Sequence, residues 1–237
     1  MKKFLKIFAA FLATILFLSS CFNSSNSPDA KENIAQDVFE NHTQNISSPQ
    51  KNMLIEYPKM KNGENKASFV NEAITAVVDD FINQWDESLL EGELSVELKY
   101  KITYYSQDFL SIVFYGYGNC TTAAHPTYDT FTLNLDLLNE KKVSLSQVVE
   151  INDNFKADFR EAVDKIEYTD IADEILSYDM ETFLKSVDIE SSTTYSYFSE
   201  DEITIIVHFP YVVNDRVEIV IKKAETFGNV LSSENDS

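Results

Sequence analysis

An α+β fold, a mostly antiparallel sheet packed by about three helices, is what this sequence predicts. Two observations carry it. Apolar residues recur at three and four in some stretches and at two in others, in the order strand, helix, three-strand meander, two helices, strand group. Glycine and proline number only five each in 237 residues, which leaves little room for long glycine-rich loops. Ahead of this domain, residues 1–52 read as a signal peptide and a disordered tether.

Met53 to Tyr57 is a short strand expected to end at Pro58, which cannot donate to a ladder. From Lys66 to Trp85, residues Val70, Ile74, Val77, Val78, Phe81, Ile82 and Trp85 form one helical stripe. The period then becomes two. Val96, Leu98, Tyr100, Ile102 and Tyr104 alternate with polar residues, and Leu110, Ile112 and Phe114 begin a second strand. Phe131, Leu133, Leu135 and Leu137 mark a third, and Asn139-Glu140-Lys141 turns the chain toward Val143-Ser144-Leu145. Phe155, Phe159, Val163 and Ile166 predict one helix, and the apolar positions from Ile171 to Val187 predict another. Tyr195–Phe198, the acidic turn Ser199-Glu200-Asp201, Ile203–Phe209 and Val217–Ile221 close the domain. The folded part is expected to span 53–231, with a tail at 232–237.

The N-terminus has the physics of an export signal. Lys2, Lys3 and Lys6 precede an apolar run from Ile7 to Leu18, too short to be a comfortable permanent span. The run ends in Leu18-Ser19-Ser20-Cys21, the small-residues-then-cysteine pattern of a bacterial lipobox. Cys21 is therefore expected to carry the lipid and residues 1–20 to be removed. The new amine is usually acylated as well, with chains such as palmitate, so that anchoring exceeds that of one chain. Residues 21–52 are then a polar tether, too poor in apolar residues to offset the entropy of ordering them. The expected address is the extracytoplasmic face of a cell membrane, and no other stretch is long and apolar enough to span one.

Charge bounds the partners. Nineteen basic residues face 39 acidic ones, for a net charge of −20, and loss of the signal lysines makes the mature chain more acidic still. Such a chain repels nucleic acid and anionic lipid and attracts cationic proteins. Solubility in an anionic envelope accounts for the same charge. With Cys21 lipidated, Cys120 stands alone, and no intrachain disulfide can form. A lone thiol near His125 in sequence reads more simply as structural than as a nucleophile.

The segment Ala123-Ala124-His125-Pro126-Thr127-Tyr128, followed by Phe131-Thr132-Leu133-Asn134-Leu135-Asp136-Leu137, resembles a family of bacterial envelope domains. In these a small-small-His-Pro segment leads into a strand ending in Asn-x-Asp. A Leu-rich step and two helices follow, as Val143 to Val149 leads into helices here. The family is the extracytoplasmic domain of the RsiV-type anti-sigma factor, also found beside PdaC-type peptidoglycan deacetylases. The likeness runs over about residues 53–231 and includes Ile203 to Tyr211 and Val217 to Ile221. Two departures matter. Phe209-Pro210-Tyr211 passes quickly through Val212 to Asp215, where the family commonly carries a longer loop. Cytoplasmic anti-sigma, transmembrane and deacetylase segments are absent from the sequence, so signalling across a membrane is not expected of this chain alone. The resemblance implies an envelope sensor or binding domain, and RsiV-type domains bind lysozyme, a cationic protein.

The candidate ligand-binding residues are His125, Pro126, Tyr128, Pro210 and Tyr211. His125 and Pro126 lie at the mouth of a strand, where an imidazole can meet a partner or brace the turn. Tyr128 and Tyr211, with Tyr115 and Tyr117, are candidate surface aromatics or ordinary sheet residues. Asp79-Asp80 and Glu200-Asp201-Glu202 lack the spacing and glycine of a calcium loop and read as solvated faces. His42, in the tether, and His208, in a strand, lack metal-ligand spacing. No metal or other cofactor is expected, and no nucleophile–base spacing selects a catalytic residue. The expected partners are the membrane through the lipid, and a cationic protein such as lysozyme or else peptidoglycan. Two alternatives stay open. An accessory peptidoglycan hydrolase would show a concave pocket with carboxylates of raised pKa, and a structural lipoprotein would show a smooth surface.

Overall fold

The structure is a computed structural model that describes residues 37–61, 66–85, 92–189, 193–209 and 216–222. The chain divides into Met1–Ile34 and Ala35–Ser237, and every described residue lies in the second unit. The signal peptide, Cys21, Pro210, Tyr211 and the 232–237 tail lie outside the described residues.

The elements run β1 (Phe39–Ser47), β2 (Lys51–Met60), α1 (Ala67–Gln84), β3 (Leu94–Tyr105), β4 (Phe109–Cys120), β5 (Thr127–Asp136) and β6 (Lys141–Lys142). Then come α2 (Leu145–Val148), α3 (Asp153–Val163), α4 (Thr169–Ser177), α5 (Met180–Ser186), β7 (Thr194–Phe198), β8 (Glu202–His208) and β9 (Arg216–Lys222). The fold is α+β. A six-stranded sheet has the order β1-β2-β3-β4-β5-β6, and a separate three-stranded sheet has the order β7-β8-β9. Every pairing is antiparallel except β2 with β3. That parallel pair needs a crossover, and α1 supplies it.

The structure corrects four expectations. The tether does not reach residue 52, because β1 pairs with β2 along its whole length, from Phe39 opposite Met60 to Ser47 opposite Asn52. The polar composition of β1 misleads because an edge strand draws its order from ladder bonds and needs few apolar side chains. Here Phe39 is buried, edge-on to Tyr105 at 5.4 Å, and Ile46 packs on the core. His42 accordingly sits in a strand, its ring 4.9 Å from that of Tyr57. Second, β2 runs through Pro58 to Met60; β3 leaves β2 after Ile55, so Pro58 interrupts no ladder on that side. Third, one expected sheet is two. Fourth, about three helices become α1 to α5. The Ser144 side chain and Gln147 form a capping box that starts α2, and Asp179 breaks the long C-terminal stripe into α4 and α5 by accepting from the Thr182 N–H at 2.9 Å.

Two cores result. In the first, Val70, Ile74, Val77, Val78 and Phe81 of α1 pack on the six-stranded sheet. Gly116 and Gly118 make that approach possible: a Cβ there would lie 2.5 Å from the Phe81 ring and 1.9 Å from the Trp85 ring. The second core joins β7–β9 to α2–α5 and reaches the first sheet through Phe109, which meets Phe198 edge-to-face at 5.2 Å. Between the cores lies a buried polar seam. Ser111 Oγ donates to Asn134 Oδ1 at 2.8 Å and accepts from the Phe198 N–H at 3.0 Å, while Asn134 Nδ2 donates to Ser196 O at 2.8 Å. Among the described residues no helix is long and apolar enough to cross a membrane.

Candidate ligand-binding cleft

β5 is incompletely covered. β6 pairs with it only at Leu135 and Asp136, so the outer edge from Thr127 to Asn134 has no strand partner among the described residues. The Val143 N–H reaches Asn134 O at 3.0 Å, which shows that Asn134, and by alternation Thr132 and Thr130, turn their backbone groups outward. His208 covers part of this edge: its Nε2 lies 2.8 Å from Thr130 O. A carbonyl only accepts, so Nε2 carries the proton. Arg216 donates to Thr130 Oγ1 at 2.7 Å and lies 5.6 Å from the Tyr115 ring centroid. This is an edge blunted by side chains rather than by another strand.

An open cleft of about 1120 Å³ lies along that edge. Consecutive residues Asp129 to Thr132 line it, so it wraps round the edge and touches both faces of β5. Asp80, Phe81 and Gln84 of α1, Lys142 of β6, the start of α2, and Asp188, Tyr195 and His208 complete it. Gln84 Nε2 donates to Asp129 Oδ2 at 3.2 Å. Tyr195 and His208 meet edge-to-face at 5.8 Å. Burial holds the Tyr195 phenol above its usual range, and the carboxylates of Asp129 and Asp188 push it further.

Asp188 is the most constrained group in the cleft. Its backbone is left-handed, at φ 63°, just after α5. One carboxylate oxygen accepts from the Ser196 N–H at 2.6 Å and from Thr132 Oγ1 at 3.2 Å, and the other accepts from Ser196 Oγ. The Leu145 N–H at the start of α2 also donates to it. Asp188 thus ties β5, β7 and α2 together. Removal from water nevertheless dominates, and it raises the carboxyl to about 6 against the lowering effect of those donors.

Of the five candidates named from sequence, the three described ones lie elsewhere. His125 is exposed in the turn between β4 and β5, its Nδ1 3.1 Å from Pro126 O, and Pro126 is half-buried. Tyr128 is 50% exposed and packs at 5.4 Å against Tyr117. None of the three lines the cleft, which begins one residue later at Asp129. Cys120 is buried, and its hydrogen bond with the Thr122 hydroxyl, at 3.2 Å, lowers the thiol. Among the described residues no three His, Cys, Asp or Glu side chains are placed to hold a metal. The sequence offered signs of Asp80 and His208, read there as a solvated face and a strand residue. Asp188, Tyr195 and Gln84 carried no local motif.

No protein-family model matches the chain, and no curated protein matches it. Among solved structures, it is similar to a DUF3298 family protein from Pseudomonas aeruginosa PAO1, with a TM-score of 0.50 and 15% identity over 79% of this chain and 92% of that one. A member of the DUF3298 family from Bacteroides fragilis matches with a TM-score of 0.49 and 14% identity, over 83% of this chain and 98% of that one. At such identity the likeness to the Pseudomonas protein is one of fold: the chain folds like a DUF3298 family protein.

Proposed function

We propose that this chain is a membrane-anchored exported lipoprotein whose domain is a non-catalytic binding module of the cell envelope, recognising lysozyme or a cell-wall ligand. The observation that carries the reading is the open cleft beside β5, with three aspartates in its lining. A structural lipoprotein has no need of such a concavity. The lipobox at Cys21 supports the address, and the net charge of −20 supports a cationic partner. The fold shared with a DUF3298 family protein is compatible with the RsiV-type resemblance.

One observation favours a second reading. A carboxyl raised to about 6 inside a cleft is what an accessory peptidoglycan hydrolase would need. Against it, the Asp188 oxygens are occupied by Ser196, Thr132 and Leu145, which suits a structural clamp better than a proton donor. Incubating the protein with purified peptidoglycan separates the two. Release of soluble fragments that Asp188→Asn abolishes would establish the hydrolase. Ligand retention without turnover supports the binding module.

A further inference from the structure

We propose that the cleft beside β5 binds an organic cation, the guanidinium or ammonium of an arginine or lysine side chain presented by a basic partner protein. The proposal rests on the binding reading above and gives it a contact chemistry. Asp80 is exposed near the end of α1, lines the cleft, and has no hydrogen-bond or ion-pair partner among the described residues. Tyr195 lines the same space, and its hydroxyl has no hydrogen-bond partner among the described residues either. Asp129 adds a second carboxylate, and Asp188, whose oxygens already accept from Ser196 and Thr132, adds negative charge without a free acceptor, against a single lysine, Lys142. Gln84 uses its Nε2 on Asp129, which leaves the amide oxygen as an acceptor.

Guanidinium and ammonium groups only donate, so they match a lining rich in acceptors. Phe131 and Tyr195, both half-buried, also line it, and aromatic rings attract cations. The field of the chain points the same way: at net −20 an anion is repelled, a neutral ligand gains nothing, and a cation is drawn in. The cleft is open to solvent and wraps a strand edge, so a side chain projecting from a folded partner can enter it without either backbone unfolding.

The test uses the full-length protein in a non-ionic detergent at about 0.15 M salt, where the Debye length is about 8 Å. The probe is a blocked, fluorescently labelled hexapeptide with one arginine, compared with the same peptide carrying citrulline, its uncharged isostere. The arginine peptide is expected to bind about tenfold more tightly, and Asp80→Asn to remove most of that preference. Asp79→Asn deletes the same charge one residue away, outside the cleft, and is expected to change binding less than about twofold. Equal losses in the two variants would reduce the attraction to net charge and overturn the proposal. So would equal binding of the citrulline peptide, or its displacement by a neutral chitin trisaccharide. The arms also separate this proposal from the reading beneath it. Lysozyme binding untouched by Asp80→Asn removes the cleft contact and leaves the partner standing. Arginine binding in the cleft without lysozyme binding does the reverse.

Discussion

Asp188 shows how one residue couples stability to pH. Its carboxyl titrates at about 6 in the folded chain and near 4 in an unfolded one. The folded state therefore holds the proton more tightly, and stability falls as pH rises between these values, by about 3 kcal/mol if the group acts alone. Asp188→Asn keeps a residue that tolerates the left-handed backbone and an oxygen for the Ser196 N–H. Urea denaturation at pH 4.5 and pH 7 is expected to show the variant gaining on the parent at the higher pH; an unchanged difference would refute the assignment. Glu181, which Lys185 and Lys156 hold at about 2, has the opposite sign: its contribution is lost only as pH falls through that value. The other residue-scale prediction concerns space. Gly118→Ala would place a methyl within 1.9 Å of the Trp85 ring, so Trp85 must move. A loss of about 1–3 kcal/mol is expected, followed by the fluorescence of the one tryptophan. Stability equal to the parent would contradict the packing.

At the scale of elements, the sequence reveals most where one face is apolar. The α1 stripe is buried from Val70 to Phe81, while Ile82 and Trp85, read from sequence as its last members, are only half-buried, and β3, β5, β7, β8 and β9 fall where the sequence places strands. β1 was hidden because its order comes from backbone pairing and its side chains are mostly polar and exposed. The α4–α5 break was hidden because the apolar stripe continues across it while the interruption is made by the Asp179 cap. Asp179→Ala is expected to cost about 1 kcal/mol, read from the urea midpoint, because the Thr182 N–H loses its acceptor. No change would mean that packing alone sets the break. The cleft was least legible of all. Its lining comes from α1, β5, β6, the start of α2, the segment after α5, β7 and β8, whose meeting is set by tertiary packing. Local motifs led instead to His125, Pro126 and Tyr128, just before the part of β5 that lines it.

Over the whole molecule, two hydrophobic cores meet across a polar seam. Ser111, Asn134 and Ser196 are all buried, and each is bonded across the sheet interface. Such a seam fixes how the sheets sit, because any slip leaves buried groups unpaired at about 1–3 kcal/mol each. The same interface closes one side of the cleft through Asp188, so the cleft wall and the docking of the sheets share residues. The binding proposed for this acidic domain is specific recognition of a cationic protein. The most direct measurement is calorimetric titration of the full-length protein in a non-ionic detergent with lysozyme, beside an equally basic unrelated protein, at about 0.15 M salt. Saturable one-to-one binding to lysozyme alone, weakening with added salt yet surviving at that ionic strength, is the predicted result. Absence of binding, or equal heat from both basic proteins, would contradict it.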